Sequence, residues 1–186
     1  YYGLRRSEVL GVKWSAIDFK EKTICIKHTV CKTQIDGEDV IIAKDRTKNK
    51  SSIRTLPLIP SIEKLLLETK KKQEVNRKKC KKAYCKEYLD YVCVDSMGVR
   101  LKPDYLTQHL QHILKKHNMK HIRFHDLRHS CASLLLANGI SLKEIQDWLG
   151  HSDFSTTANI YGHLDYGAKL KSAGKIAEML TIDNED

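Results

Sequence analysis

The chain has 186 residues, enough for one well-buried domain and at most a small appendage, and it reads as one domain. Its formal charge of +10 favours a polyanionic partner, because such a field attracts phosphate-rich surfaces before any specific contact forms. No apolar run approaches the roughly 20 residues of a membrane helix, and the start lacks signal-peptide order, so an intracellular protein without a membrane partner is expected.

The opening Tyr1-Tyr2-Gly3-Leu4-Arg5 has no cap or polar lead-in and suggests a piece of something longer. Residues 5–10 have helical character that stops near Gly11, and Trp14, Ile17 and Phe19 lead into a β-rich stretch. Residues 23–30 are β-branched and partly alternating, as a half-buried strand requires. Asp36-Gly37 marks a turn, Val40-Ile41-Ile42 a second strand, and residues 53–58 a third that Pro57 ends or edges. Between the last two lies a polar loop with Lys44, Lys48 and Lys50, either a solvated hairpin or a finger for a phosphate backbone.

A helix is predicted over 61–82 from Ile62, Leu65 and Leu66, with a charged stretch over 70–86 that reads first as a solvated face. Residues 91–94 predict a short strand closed by a turn at Gly98. Past Pro103 the spacing is helical, first through Tyr105, Leu106, Leu110, Ile113 and Leu114. A second stripe, Leu127, Cys131, Leu134 and Leu135, runs to a C-cap at Asn138-Gly139. Ser141 and Glu144 form a capping box for a helix that holds Ile145, Trp148 and Leu149 and ends at Gly150. A last amphipathic segment covers 168–180. The expected class is α+β: mainly helical, with a small antiparallel three-stranded sheet packed at one side. Six scattered cysteines (Cys25, Cys31, Cys80, Cys85, Cys93, Cys131) include no C-x-x-C pair and read as small hydrophobes rather than zinc ligands.

Four short motifs carry chemistry. His125 and Arg128 are spaced to share one face at a helix start, where an anion is favoured; the ordinary alternative is a surface pair with Asp126 as a capping aid. Arg5 and Glu8 have the same spacing, and a guanidinium held by a carboxylate is either a plain ion pair or a positioned phosphate clamp. His151 follows the glycine that ends a helix, as a loop histidine or one that projects into a cleft. Tyr161, before Gly162, would otherwise be a core residue with its hydroxyl at the rim. Together, imidazoles, guanidinium and phenol suit gripping a phosphodiester and attacking it without a metal.

In this order the segments resemble the catalytic domain of tyrosine recombinases, the lambda-type phage integrases, and look most like those of conjugative transposons and prophages. Gly3-Leu4-Arg5-Arg6-Ser7-Glu8 is similar to the first arginine motif, with Arg5 in the catalytic position and Glu8 behind it. The loop before Ile53-Arg54-Thr55-Leu56-Pro57 matches the hairpin of the catalytic lysine, placed at Lys48 with Lys50 in reserve. His125-Asp126-Leu127-Arg128 supplies His125 and Arg128 with Asp126 in support, Leu149-Gly150-His151 supplies His151, and Tyr161 falls where the family has its nucleophile.

The resemblance implies a site-specific DNA recombinase that integrates or excises a mobile element through a 3′-phosphotyrosyl intermediate, with no cofactor, metal or ATP. Ionising a phenol at neutral pH costs about 4 kcal/mol, so its proton must leave as the bond forms. Arg5 and Arg128, with His151, would hold the non-bridging oxygens. Lys48 would protonate the leaving oxygen, and His125 would accept the tyrosine proton or bind the phosphate. Further implied are double-stranded DNA as partner, a cytoplasmic, nucleoid-associated location, and accessory DNA-bending or directionality proteins. A monomer off DNA and a homotetramer on it, joined through the helix at 168–180, are also implied. On this reading residues 1–186 are an N-terminally truncated catalytic domain, lacking core-binding and arm-binding domains and weak or inactive alone. A type IB topoisomerase and a non-catalytic DNA-binding remnant are the alternatives.

Overall fold

The computed structural model describes residues 1–45 and 53–150, so Lys48, Lys50, His151, Tyr161 and the helix expected over 168–180 lie outside the described residues. In chain order the elements are α1 (Arg6–Gly11), β1 (Ile17–Asp18), β2 (Thr23–Ile26), β3 (His28–Ile35), β4 (Glu38–Asp45), β5 (Arg54–Pro57), α2 (Pro60–Cys80), α3 (Pro103–Lys116), α4 (Asp126–Ala137) and α5 (Leu142–Leu149). Both α2 and α3 begin on a proline, whose fixed φ suits the first helical position and whose missing N–H would have no partner there. Helices and small antiparallel sheets give the expected α+β class, and none of the described helices is long and apolar enough to cross a membrane.

The strand expected over 23–30 is interrupted at Lys27 and serves two ladders. β2 pairs with β1 and β5, ending at Ile26 opposite Arg54, whereas β3 pairs with β4 alone, beginning at His28 opposite Asp45. The three-stranded sheet therefore contains β1 where the sequence suggested the Val40-Ile41-Ile42 strand. Local turn chemistry explains the change: Asp36 and Gly37 both have positive φ (51° and 83°), the conformation of a two-residue hairpin turn that commits β4 to the strand before it. Residues 91–94 also depart from expectation, forming only isolated bridges from Lys13 to Tyr91 and from Val94 to Arg100. A side chain takes up the backbone there instead, with Gln73 Nε2 donating to the Val92 carbonyl at 2.8 Å.

Three apolar clusters hold the elements together. Ile24, Ile26 and Leu56 from the sheet, with Leu58 just after β5, pack on Tyr2 and on Leu66 of α2. Ala132 of α4 packs against Ile145 and Leu149 of α5, and Leu10 of α1 against Val30 and Tyr91. Trp148 touches the first two clusters, so α5 is fixed to the sheet as well as to α4. Leu10, Ile145 and Leu149 have no exposed surface, and each such side chain contributes about 1.5–3 kcal/mol.

On α4 the burial pattern splits the expected stripe, with Cys131 and Leu135 packed on the cluster shared with α5. Leu127 and Leu134 of the expected core stripe are 40% and 66% exposed, while Arg128 and Ala132 face inward. A helix turns one stripe to the core, and here the arginine occupies it because its partners are there.

Candidate active site

Glu8 is the centre around which the charged side chains gather. It is the third residue of α1, where its carboxylate reaches back to accept from the Arg5 amide at 2.8 Å, satisfying a donor that the first helical turn leaves open. It has no exposed surface. Arg5 Nη1 donates to it at 3.0 Å, and Arg54 donates through both terminal nitrogens at 3.3 and 3.0 Å. Arg128 Nη1 lies 4.0 Å away. Burial alone would raise the Glu8 pKa, but the hydrogen bonds and charge of Arg54, followed by the Arg5 amide and charge, outweigh it and hold the carboxyl at about 2.

Both predicted arginines also grip the C-terminal end of α5. Arg5 donates through Nη1 and Nη2 to the Gly150 carbonyl at 3.4 and 3.3 Å. Arg128 donates through Nη2 to the Leu149 carbonyl and through Nη1 to the Gly3 carbonyl, each at 2.7 Å. Cations are favoured at such an end, where carbonyls lack helical partners and the dipole is negative. The helix stops there because Gly150 adopts φ +68°. A Cβ at that position would also lie 2.7 Å from Arg54 Nη1, so glycine satisfies a backbone need and a packing need together. The capping box at the other end forms as expected, with the Glu144 amide donating to Ser141 Oγ at 3.2 Å and the Ser141 amide to Glu144 Oε2 at 3.0 Å.

Arg5 and His125 line one cleft of about 420 Å³, together with Arg6, Arg123 and Phe124. The Arg5 side chain is 30% exposed, whereas Arg128 is 2% exposed, so Arg5 is the more open of the pair. His125 caps α4 and meets His129 edge to face, with ring centroids 4.8 Å apart. Its pKa is lowered, first by desolvation of the ring and then by the charges of His129, Arg128 and Arg5, so its neutral, proton-accepting form is favoured. Asp126 stands apart from the cluster: it accepts from the Arg123 amide at 2.8 Å and from Arg123 Nη2 at 2.9 Å. These bonds tie Asp126 to Arg123 ahead of α4, and no side-chain hydrogen bond caps the helix start.

The structure thus brings Arg5, Glu8 and Arg128 together, with His125 at the rim of the same cleft. It adds Arg54, which the sequence reading passed over. The signal was present in β5, where Arg54 is in phase with the buried Leu56 and Leu58 and so had to enter the interior, which requires a carboxylate. Among the described residues, three guanidiniums face one carboxylate, an excess of two positive charges. A phosphodiester carries one negative charge and gains a second as a nucleophile adds, so the cluster favours the transition state over the ground state. His151 follows Gly150 directly in sequence and, like Lys48 and Tyr161, lies outside the described residues.

The family model described as the phage integrase family matches residues 1–167. A tyrosine recombinase XerC-like protein of Caldanaerobacter subterraneus subsp. tengcongensis is 32% identical over 167 residues, which are 87% of this chain and 43% of that protein. The ICEBs1 integrase of Bacillus subtilis is 30% identical over 180 residues, 96% of this chain and 46% of the relative. The chain therefore spans less than half the length of these curated relatives. Among solved structures, the Tn1549 transposon integrase in complex with circular intermediate DNA superposes with a TM-score of 0.73 at 20% identity, covering 95% of this chain and 56% of that one. The XerH site-specific recombinase in a post-cleavage complex with palindromic difH has a TM-score of 0.59 at 25% identity, covering 96% and 43%.

Proposed function

The chain belongs to the phage integrase family, and from that premise we propose that residues 1–186 are the catalytic domain of a site-specific recombinase that cuts and rejoins double-stranded DNA. The observation that carries this reading is the meeting of Arg5 and Arg128 at Glu8 and at the end of α5, one residue before His151. Arg5 and Arg128 hold the non-bridging oxygens of the target phosphate, helped by His151. Arg54 balances Glu8 so that this carboxylate aligns Arg5 without cancelling the site's charge. Tyr161 attacks phosphorus, His125 accepts the tyrosine proton or hydrogen-bonds the phosphate, and Lys48 protonates the departing 5′-oxygen. The phosphotyrosyl bond keeps the ester energy, so the 5′-hydroxyl of another strand can reverse the step.

Assembly is part of the same proposal. Leu170, Ala173, Ile176, Ala177 and Leu180 recur at helical spacing in the segment after the tyrosine and suit docking on a neighbouring protomer in a DNA-bound homotetramer. Deleting residues 168–186 is expected to leave DNA binding but prevent multimers on DNA; unchanged assembly in gel filtration would refute it.

The chemical test is a nicked suicide duplex built from the repeat that flanks the gene, incubated with the full-length protein. A covalent adduct that disappears in Tyr161→Phe is expected. Retained binding without an adduct would make the chain a DNA-binding module, and relaxation of supercoils without site preference would make it a topoisomerase.

A further inference from the structure

Away from the arginine cluster, a second ionisable group is buried without a part in the chemistry above. His28 opens β3 with 8% of its surface exposed. Its Nδ1 lies 2.6 Å from Asp45 Oδ1, and its Nε2 lies 2.9 Å from the hydroxyl of Tyr91, itself 9% exposed. Arg100 Nη1 reaches the same hydroxyl at 3.5 Å, with its guanidinium over the Tyr91 ring at 5.3 Å; Lys13 Nζ also lies 5.3 Å from that ring. A carboxylate only accepts, so Nδ1 carries the proton given to Asp45. The guanidinium only donates, which leaves the tyrosine hydroxyl free to donate to Nε2. The donors therefore run in one direction, from Arg100 through Tyr91 and His28 to Asp45.

The place where that relay ends is what gives it meaning. Asp45 is the last residue of β4, and Lys48 follows three positions later. The β3–β4 ladder ends with His28 opposite Asp45 and the β2–β5 ladder with Ile26 opposite Arg54, on either side of Lys27. The lysine-bearing stretch is thus flanked by Asp45 and Arg54, which pair on either side of that one residue. Its returning end is fixed by Arg54 on Glu8, and its departing end by Asp45 on His28.

We infer that His28 is a positioning residue for strand cleavage: through Asp45 it sets the origin of the arm that carries the general acid. The inference rests on the reading that Lys48, or Lys50 in its place, protonates the leaving oxygen. A general acid contributes about 10²–10⁴-fold only when it reaches the leaving atom, and a misplacement of about 1 Å is enough to forfeit about 10².

The test replaces the leaving oxygen with sulfur in a 5′-bridging phosphorothiolate duplex. A thiol ionises near pH 8.5 and departs without a proton, so a defect confined to the general acid disappears on that substrate. On the ordinary duplex, His28→Phe and Asp45→Ala in the full-length protein are expected to slow adduct formation about 10- to 100-fold, less than Lys48→Ala. On the sulfur duplex all three are expected within about threefold of wild type. Asp45→Ala guards against misfolding, since that side chain is 61% exposed. Wild-type rates on oxygen in His28→Phe or Asp45→Ala overturn the inference. So does a loss that persists on sulfur while Lys48→Ala recovers, because His28 would then only support the fold. If neither Lys48→Ala nor Lys50→Ala is slowed on oxygen and restored on sulfur, the general-acid reading itself fails and this inference falls with it.

Discussion

Glu8 and His28 are both buried ionisable side chains, about twenty residues apart on neighbouring elements, and they are satisfied in opposite ways. Glu8 is enclosed entirely, and its named side-chain partners are guanidiniums that also hold α5 and β5. His28 hands its hydrogen bond outward to a carboxylate that mostly faces solvent, with a phenol behind it. The first arrangement ties the fold to the site, so that removing its centre should unfold the protein. The second leaves the fold largely independent of the group it aims, and removing it should spare stability while changing reactivity.

Glu8→Gln carries the largest expected effect. It leaves three buried or half-buried guanidiniums without their counter-charge and should lower unfolding free energy by about 3–5 kcal/mol in urea titration. The same group sets an acid limit. Its folded pKa of about 2 lies below its ordinary 4.5, so its stabilisation is complete above about 4.5 and is lost as pH falls through the folded value. Acid unfolding of the wild type should therefore have a component between those values that Glu8→Gln lacks. A wild-type-like urea midpoint for this variant would erase the contrast with His28.

Gly150→Ala should come next, at about 1–2 kcal/mol from the left-handed backbone alone. A further cost arises as the new methyl displaces Arg54. A double variant with Glu8→Gln should show less than the sum, because both act on the same guanidinium. Asp45→Ala should be smallest in stability, at less than about 1 kcal/mol, because solvent screens an exposed carboxylate. A large drop in its thermal midpoint would mean that the two buried groups are not different in kind.

What was legible in the sequence was local chemistry. The Ser141–Glu144 box, the glycine ends of α4 and α5, the Asp36-Gly37 turn and the i, i+3 pairs at Arg5–Glu8 and His125–Arg128 each declare themselves within a few residues. The burial of Arg128 on α4 was not legible, because the apolar stripe is a property of the helix while the inward pull on Arg128 comes from Gly3, Glu8 and Leu149, far away in sequence. The division of the sheet was hidden for a related reason. Alternation through 23–30 is continuous, and only the partners on either side of Lys27 reveal two ladders. Arg54 was readable in principle, from its phase with Leu56, but only to a reader asking what a buried guanidinium would need.

The interruption at Lys27 has an engineering consequence. Asp45 closes one described ladder and Arg54 the other on either side of Lys27, so the described pairings of both sheets are complete without the chain between them. Loop closure adds only about 0.6 kcal/mol for each doubling of length. Foreign peptides, epitope tags or reporter dyes grafted into that interval should leave the described scaffold standing while displacing Lys48, which would separate folding from cleavage in one variant.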